Sequence, residues 1–462
     1  MIGIAVIFLG GVITLFLGLN KSESQSVMVL RLFMLISAVL AGAESQGWMD
    51  FSSLFNWVPT KMLDFSPFDL AIVSILSFFG FYILSLLPSN DRKGADVLGL
   101  IAFALTGAMM MVGSQHLVML FLGLEVLSIP LFVLAGSDKD NLYGNEASLK
   151  YFLMGAFSTA IFLLGAAYTY GGSGTLLLSE IQLKLSFAAH FGEYPVLVKA
   201  GALLMSVGLL FKVSAVPFHF WSPDVYEGSP NRIATFMAVI VKVAGFVAFA
   251  NLINTFSPMQ SWMNKWIIPI SIITILAGNI AALAQQTVKR TLAYSSISHA
   301  GYLMLFLILP MQENQSILGT YLLSYGLGTI LLFHLMDKYS SNGVKSFEMF
   351  RSIRTNKMDL AALIVGTLSI AGVPSTIGFV AKYQLFSAAF AQNHYAVYFA
   401  LLGSAISIAY YFKPFRYAMA EQSEVEENLS KEKGFFSQIC LIFGISLILI
   451  MGILPMIVER IF

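Results

Sequence analysis

A single cysteine, Cys440, stands among 462 residues. One thiol makes no internal disulfide, no cysteine-held iron–sulfur cluster and no structural zinc site. The six histidines are scattered without metal-ligand spacing, so no metal site is expected. Neither a Walker-type glycine loop nor a GxGxxG fingerprint after a strand is found, which removes the usual nucleotide sites. Charge is also scarce: 11% of residues are charged, against about 25% in soluble domains. A net charge of +1 gives no reason to expect nucleic acid or an acidic substrate. Any redox or ATP chemistry served by this chain therefore needs its cofactor on another chain.

Apolar residues make up 57% of the sequence and the mean hydropathy is +0.79, so lipid or other apolar helices surround most side chains. A helix crossing the hydrocarbon core needs about 20 mostly apolar residues. By that rule the chain holds about fourteen spans, near 2–19, 27–43, 67–87, 95–112, 116–136, 148–171, 194–216, 231–256, 262–284, 291–310, 315–336, 359–390, 393–412 and 435–458. They are too long for strands and do not alternate, which argues against an outer-membrane barrel. No basic residue precedes Ile2–Leu19, so this stretch reads as a retained span and not a signal peptide. Alternate connections collect most loop cations, among them Lys21, Arg92, Lys139, Arg232, Arg290, Lys357 and Lys413. The other side has Lys61, Lys184, Lys199, Lys265 and Arg460. The positive-inside rule puts the rich side in the cytoplasm and both termini outside.

Two spans are interrupted in the same way. One reads Phe211-Lys-Val-Ser-Ala-Val-Pro217 and the other Leu368-Ser-Ile-Ala-Gly-Val-Pro374. Each places a small residue, valine and proline inside an apolar run. Proline removes a backbone donor and displaces the carbonyl four residues earlier, and free backbone groups at membrane depth are tolerated only beside protein or a wet cavity. The interruptions fall in the seventh and twelfth spans. An offset of five spans relates two repeats of opposite topology, a pattern of transporters. The plain alternative is two proline-kinked bundle helices.

Four charges lie within the spans: Glu125 in the fifth, Lys212 in the seventh, Lys242 in the eighth and Lys382 in the twelfth. An ionised group at a helix centre costs roughly 2.5–3.5 kcal/mol on the translocon scale, so these side chains must face the interior, pair, or meet water. Lys150 and Lys199 lie near span ends, where snorkelling accounts for them; Lys242 is too central for that. Glu125 and Lys212 alone could be a structural pair, but Lys242 and Lys382 have no acidic partner in the spans. Burial opposes an ammonium and a nearby carboxylate favours it; a lysine held between the two can load and release a proton. The lysines are therefore read as a proton relay from Lys212 through Lys242 to Lys382, with Glu125 tuning the first. His219 and His299 can relay protons or serve as hydrogen-bonded core residues. His334, near a span end, has no assigned role. The acidic run from Glu421 to Glu432 and the 337–358 segment read as solvated loops.

The stretches Gly123-Leu-Glu-Val-Leu-Ser-Ile-Pro-Leu131, Glu146-Ala-Ser-Leu-Lys-Tyr151, Phe211-Lys-Val-Ser-Ala-Val-Pro-Phe-His219, Trp221-Ser-Pro-Asp-Val-Tyr-Glu-Gly228, Lys289-Arg-Thr-Leu-Ala-Tyr-Ser-Ser-Ile-Ser-His-Ala-Gly-Tyr302 and Gly372-Val-Pro-Ser-Thr-Ile-Gly-Phe-Val-Ala-Lys382 together resemble the antiporter-like, proton-pumping subunits of respiratory complex I (NADH-quinone oxidoreductase), the N type most closely. The resemblance spans roughly residues 95–420. It implies an all-α membrane fold of about fourteen helices with two inverted five-helix repeats: a three-helix flank over 1–94, repeats over 95–256 and 257–420, and an acidic loop with a final helix over 421–462. It implies that Glu125 and Lys212 form the coupling pair, Lys242 the central relay and Lys382 the terminal site, with His219, His299 and Lys150 in support. It also implies a translocase subunit in the bacterial cytoplasmic membrane. Its partners would be the other membrane-arm subunits, the peripheral redox arm reached through them, and lipids. NADH, flavin, iron–sulfur clusters and quinone would bind to partner subunits and none to this chain.

A subunit of a multisubunit Na+/H+ antiporter is the leading alternative. Asp224-Val-Tyr-Glu-Gly228 leans against it. A solo transporter of an organic solute would want convergent polar side chains where mainly lysines stand, and a scaffold has no need of buried lysines.

Overall fold

The structure is a computed structural model that describes residues 1–18, 23–51, 62–87, 94–190, 194–340, 346–420 and 435–462. The acidic loop expected over 421–434 and the loop cations Lys21, Lys61, Arg92, Lys93, Lys345, Lys431 and Lys433 lie outside the described residues. Among the described residues the secondary structure is helical, with only isolated bridges such as Leu63 with Ser114 and His116 with Leu177.

The flank consists of α1 (Ile2–Gly18), α2 (Glu23–Ser45) and α3 (Pro67–Leu86). The start of α3 is written in its sequence: Ser66 and Asp69 form a reciprocal capping box and Pro67 occupies the first turn, where its missing N–H costs nothing. Then come α4 (Gly94–Val112), α5 (Leu117–Ala135), α6 (Leu142–Ser173), α7 (Leu178–His190), α8 (Val196–Lys212), α9 (Trp221–Gly228), α10 (Asn231–Phe236) and α11 (Lys242–Thr255). A π turn over Met237–Val241 joins α10 to α11, making one continuous span, Asn231–Thr255. The remainder is α12 (Gln260–Ala284), α13 (Val288–Met304), α14 (Met311–Tyr339), α15 (Lys357–Ala371), α16 (Ile377–Gln392), α17 (His394–Tyr411), α18 (Lys413–Ala418), α19 (Phe435–Ile453) and α20 (Met456–Glu459).

Eleven of the described helices are long and apolar enough to cross a membrane. Among the described residues α1 is apolar but shorter, and α8, α15 and α16 have 17, 15 and 16 residues. The sequence placed one span over 359–390, whereas α15 ends at Ala371 and α16 begins at Ile377. Likewise, α8 stops at Lys212, and no helix resumes before Trp221. The 337–358 segment is more than a solvated loop, because a 3-10 helix over Phe347–Thr355 buries Phe347, Met349, Phe350 and Ile353.

The core is centred on the Asn231–Thr255 span, whose most apolar stretch is wholly buried and which meets α4, α8 and α14. Without a hydrophobic drive between helices in lipid, close packing depends on small residues. Gly107 on α4 and Gly123 on α5 supply it: a Cβ on Gly107 would lie 2.3 Å from the Leu127 nitrogen, and one on Gly123 would lie 2.9 Å from the Met111 nitrogen.

Candidate functional site

Lys212, Lys242 and Lys382 are 2%, 2% and 6% exposed, so none snorkels. Lys212 is the last residue of α8, placed there by the helix ending ahead of Pro217. Its Nζ donates to Ser128 Oγ at 2.6 Å and lies 5.3 Å from the Phe132 ring centre and 5.5 Å from that of Tyr151. Aromatic faces carry negative charge density and stabilise an ammonium where water is scarce. Glu125, half-buried on α5, acts on Lys212 through space, but the hydrogen bond goes to Ser128.

Lys242 opens α11 directly after the π turn. A π turn packs an extra residue into the helix and is a common device for re-aiming a side chain. Lys242 Nζ donates to the Ser296 carbonyl and to Ser296 Oγ, and sits 5.3 Å from the Tyr325 ring. Tyr325 donates to Ser296 Oγ at 2.9 Å, so Ser296 on α13 joins the lysine to α14.

One turn along α13, His299 is buried between two hydroxyls, with Nδ1 2.9 Å from Tyr321 Oη and Nε2 3.2 Å from Tyr411 Oη. Tyr411 also meets Ser295 Oγ at 2.5 Å. Lys382 Nζ, on α16, donates to the Ala371 carbonyl at 2.7 Å and to Ser404 Oγ at 3.2 Å, and lies 5.3 Å from the Tyr302 ring. The Ala371 carbonyl is available because α15 ends there in a left-handed Gly372 with φ +83°. A cavity of about 420 Å³ opens beside Lys382, lined also by Gly372, Phe379, Tyr383 and Phe386.

Thus Lys242, His299 and Lys382 converge on α13, whose Ser296, His299 and Tyr302 serve all three. His219 is not brought into hydrogen-bond contact with any of these lysines; it sits half-buried on the turn before α9, where burial pulls its imidazole below the usual range. Lys150 belongs to an ion network instead. Its Nζ is 2.6 Å from Glu146 and 2.9 Å from Asp224; Arg290 Nη1 is 2.9 Å from both Asp224 and Glu227. The network joins α6, α9 and α13. Burial pushes the Asp224 carboxyl up, but hydrogen bonds from Lys150 and Arg290 and their charges outweigh it and hold the group below its ordinary range. His334 is buried, with Nδ1 2.8 Å from the Leu86 carbonyl.

The sequence reading missed the hydroxyl and amide side chains that complete the site: Ser128, Asn279, Ser296, Tyr302, Tyr321, Tyr325, Ser404, Tyr410 and Tyr411. Tyr321 and Tyr325, four apart on α14, and Asn279 within the apolar run of α12 offered a signal, since a buried polar side chain there costs energy unless bonded. It also missed the Lys338–Asp359 pair between α14 and α15, 2.5 Å apart, to which Tyr339 donates at 2.7 Å.

Comparison with known proteins gives a family match over residues 114–407, to the NADH:quinone oxidoreductase/Mrp antiporter transmembrane family. NADH-quinone oxidoreductase subunit N of Cytophaga hutchinsonii is 38% identical over 399 residues, covering 85% of each chain. The subunit N of Flavobacterium johnsoniae is 35% identical over 434 residues, covering 91% of this chain and 92% of its own. A chain in the structure of respiratory complex I from Thermus thermophilus superposes with a TM-score of 0.80 at 31% identity, covering 99% of this chain and 98% of that one. A chain of an archaeal membrane-bound sulfane sulfur reductase superposes with a TM-score of 0.81 at 23% identity, over 99% and 95%, a likeness of fold alone.

Proposed function

The chain belongs to the NADH:quinone oxidoreductase/Mrp antiporter transmembrane family, among the N subunits, and on that premise we propose that it carries protons across the membrane through Lys212, Lys242 and Lys382. It is a multi-pass, antiporter-like subunit of bacterial complex I, and its partners are membrane-arm subunits. The N-subunit relatives weigh against the Na+/H+ antiporter alternative.

One observation carries the relay: three buried ammonium groups are held by hydroxyls, carbonyls and aromatic faces, with no carboxylate in contact among the described residues. A hydroxyl accepts from an ammonium and can turn to donate to the amine left after deprotonation, so each site suits both states. Lys212 starts the relay under the field of Glu125. Lys242 takes the proton at the centre, His299 passes it between Tyr321 and Tyr411, and Lys382 delivers it toward the cavity beside α16. His219 and Lys150 support this from the turn before α9 and from the ion network.

In this reading residues 1–94 form the flank, 95–256 and 257–420 are inverted repeats, and 421–462 are the closing segment. Spans seven and twelve are broken where α8 and α15 stop, and both termini face the periplasm. NADH, flavin, iron–sulfur clusters and quinone bind to partner subunits.

The test is Lys242→Ala in the whole complex. Assembly, followed on native gels, should be kept, while acidification of vesicles driven by NADH is lost. Assembled complex that pumps at the parental rate would reject the relay.

A further inference from the structure

The connection from His299 to Lys382 runs past a side chain with no acid–base chemistry in the neutral range. Asn279 is fully buried near the end of α12. Its Nδ2 donates to the Ile275 carbonyl at 2.8 Å and to the Tyr302 hydroxyl oxygen at 3.1 Å. Its Oδ1 accepts from Tyr410 at 3.0 Å. A backbone carbonyl only accepts, so the Ile275 bond fixes which end of the amide is nitrogen. The senses of the other two bonds follow. Tyr410 must donate, and Tyr302 must accept.

That assignment has consequences on both sides. The Tyr302 proton is directed away from Asn279, on the residue whose ring lies 5.3 Å from Lys382 Nζ. Tyr410 has its proton committed, and its ring lies 4.5 Å from that of Tyr411, the partner of His299. Gly403 leaves room for the arrangement: a Cβ there would stand 2.9 Å from Asn279 Nδ2 and 3.0 Å from Tyr302 Oη.

We propose that Asn279 is a positioning residue for proton transfer between His299 and Lys382, setting the donor and acceptor sense of Tyr410 and Tyr302. The inference rests on the lysine relay above. The proton moves on imidazole, hydroxyl and amine groups: each hop breaks one N–H or O–H bond and forms another on the next group, and Asn279 keeps both its hydrogens throughout. An amide suits this task because it orients its neighbours without trapping the charge.

The experiment uses the whole complex in liposomes and reads protons moved per NADH oxidised together with turnover. Asn279→Leu keeps the volume and removes all three bonds. Assembly should persist and coupled turnover should fall roughly tenfold to a hundredfold, the scale of a misplaced reacting group. The Tyr302→Phe, Tyr410→Phe double variant should lose as much, and adding Asn279→Leu to it should cost nothing further, as for groups acting as a unit. Asn279→Asp should recover pumping only toward acid pH, where a neutral carboxyl again offers a donor and an acceptor. The titratable groups bonded to it are Tyr302 on α13 and Tyr410 on α17; beyond them lie Lys382 on α16, 5.3 Å from the Tyr302 ring, and Tyr411, its ring 4.5 Å from that of Tyr410 and its hydroxyl bonded to His299. Parental pumping by Asn279→Leu, or an Asn279→Asp profile that follows the parent, overturns the proposal. Should Asn279→Leu fail to assemble, Tyr410→Phe alone decides: reduced pumping supports the role and parental pumping removes it. Lys242→Ala and Lys382→Ala run alongside. If they pump normally, the relay itself is wrong; if they stop while Asn279→Leu pumps, only the role of Asn279 is.

Discussion

Lys338 at the end of α14 holds Asp359 at the start of α15 at 2.5 Å, with side chains 8% and 1% exposed. Each charge sits at the helix end whose dipole favours it. Breaking a buried pair by removing one partner leaves a charge without compensation and costs about 3–5 kcal/mol, whereas replacing both with apolar groups is often neutral. Asp359→Asn should therefore lower the thermal midpoint of the purified complex, and Lys338→Met with Asp359→Leu should restore most of it. Equal losses in the single and double variants would show that the pair does not hold α14 to α15.

Gly372 permits both the left-handed end of α15 and the approach of Lys382, since a Cβ would lie 2.6 Å from Lys382 Cδ. A side chain in that backbone region costs about 1–2 kcal/mol, and the lysine must also move. Gly372→Ala should impair pumping more than it impairs assembly. Unchanged proton yield with normal assembly would show that the lysine tolerates displacement.

Glu125 acts on Lys212 without bonding to it. At an effective dielectric near 20, removing a charge at several ångströms is worth on the order of 1–3 kcal/mol. Glu125→Gln keeps the shape and removes that field, so pumping should fall about tenfold or more while Ser128 still holds the lysine. Pumping at the parental rate would mean that Ser128 and the aromatic rings suffice.

Asp224, on the short α9, ties Lys150 to Arg290 near the starts of α6 and α13. Its carboxyl is held below the ordinary range, so its contribution to stability is full above the unfolded value, about 3.9, and is lost as pH falls through the lower folded value. Each exposed pair is worth only about 0–1 kcal/mol. Asp224→Asn should thus cost little at neutral pH and should remove the part of acid inactivation that belongs to this network, measured as residual activity after exposure between pH 5 and about 2. An identical acid profile in parent and variant would exclude the network from that loss.

The lysines were legible in the sequence because a cation in an apolar run has an energetic cost that needs no structure to see. The two Val-Pro interruptions were legible for a similar reason: proline forbids the helix its next bond. The partners were not. Tyrosine in a membrane helix reads as bulk, and Ser128, Ser296 and Ser404 read as small packing residues; only their meeting across α5, α8, α11, α13, α14, α16 and α17 makes them ligands of an ammonium. Lys338 looked like a loop cation because Asp359, twenty-one residues away, becomes its neighbour only when α14 and α15 pack. For Lys150 the sequence offered a position near a span end and a family motif, but not its partners: Glu146 lies one turn away, whereas Asp224 reaches it only when α9 packs beside α6.

The wide turn over Met237–Val241 sets the phase of everything after it. It takes up one residue more than an α-helix would, so deleting one of the five should relax the turn to plain α-helix with Lys242 near its present phase. One further residue has no such slack: at about 100° per residue it would carry Lys242 more than a quarter of the way around its axis and off Ser296. All five residues are buried, so the packing around them limits which side chains the turn can carry.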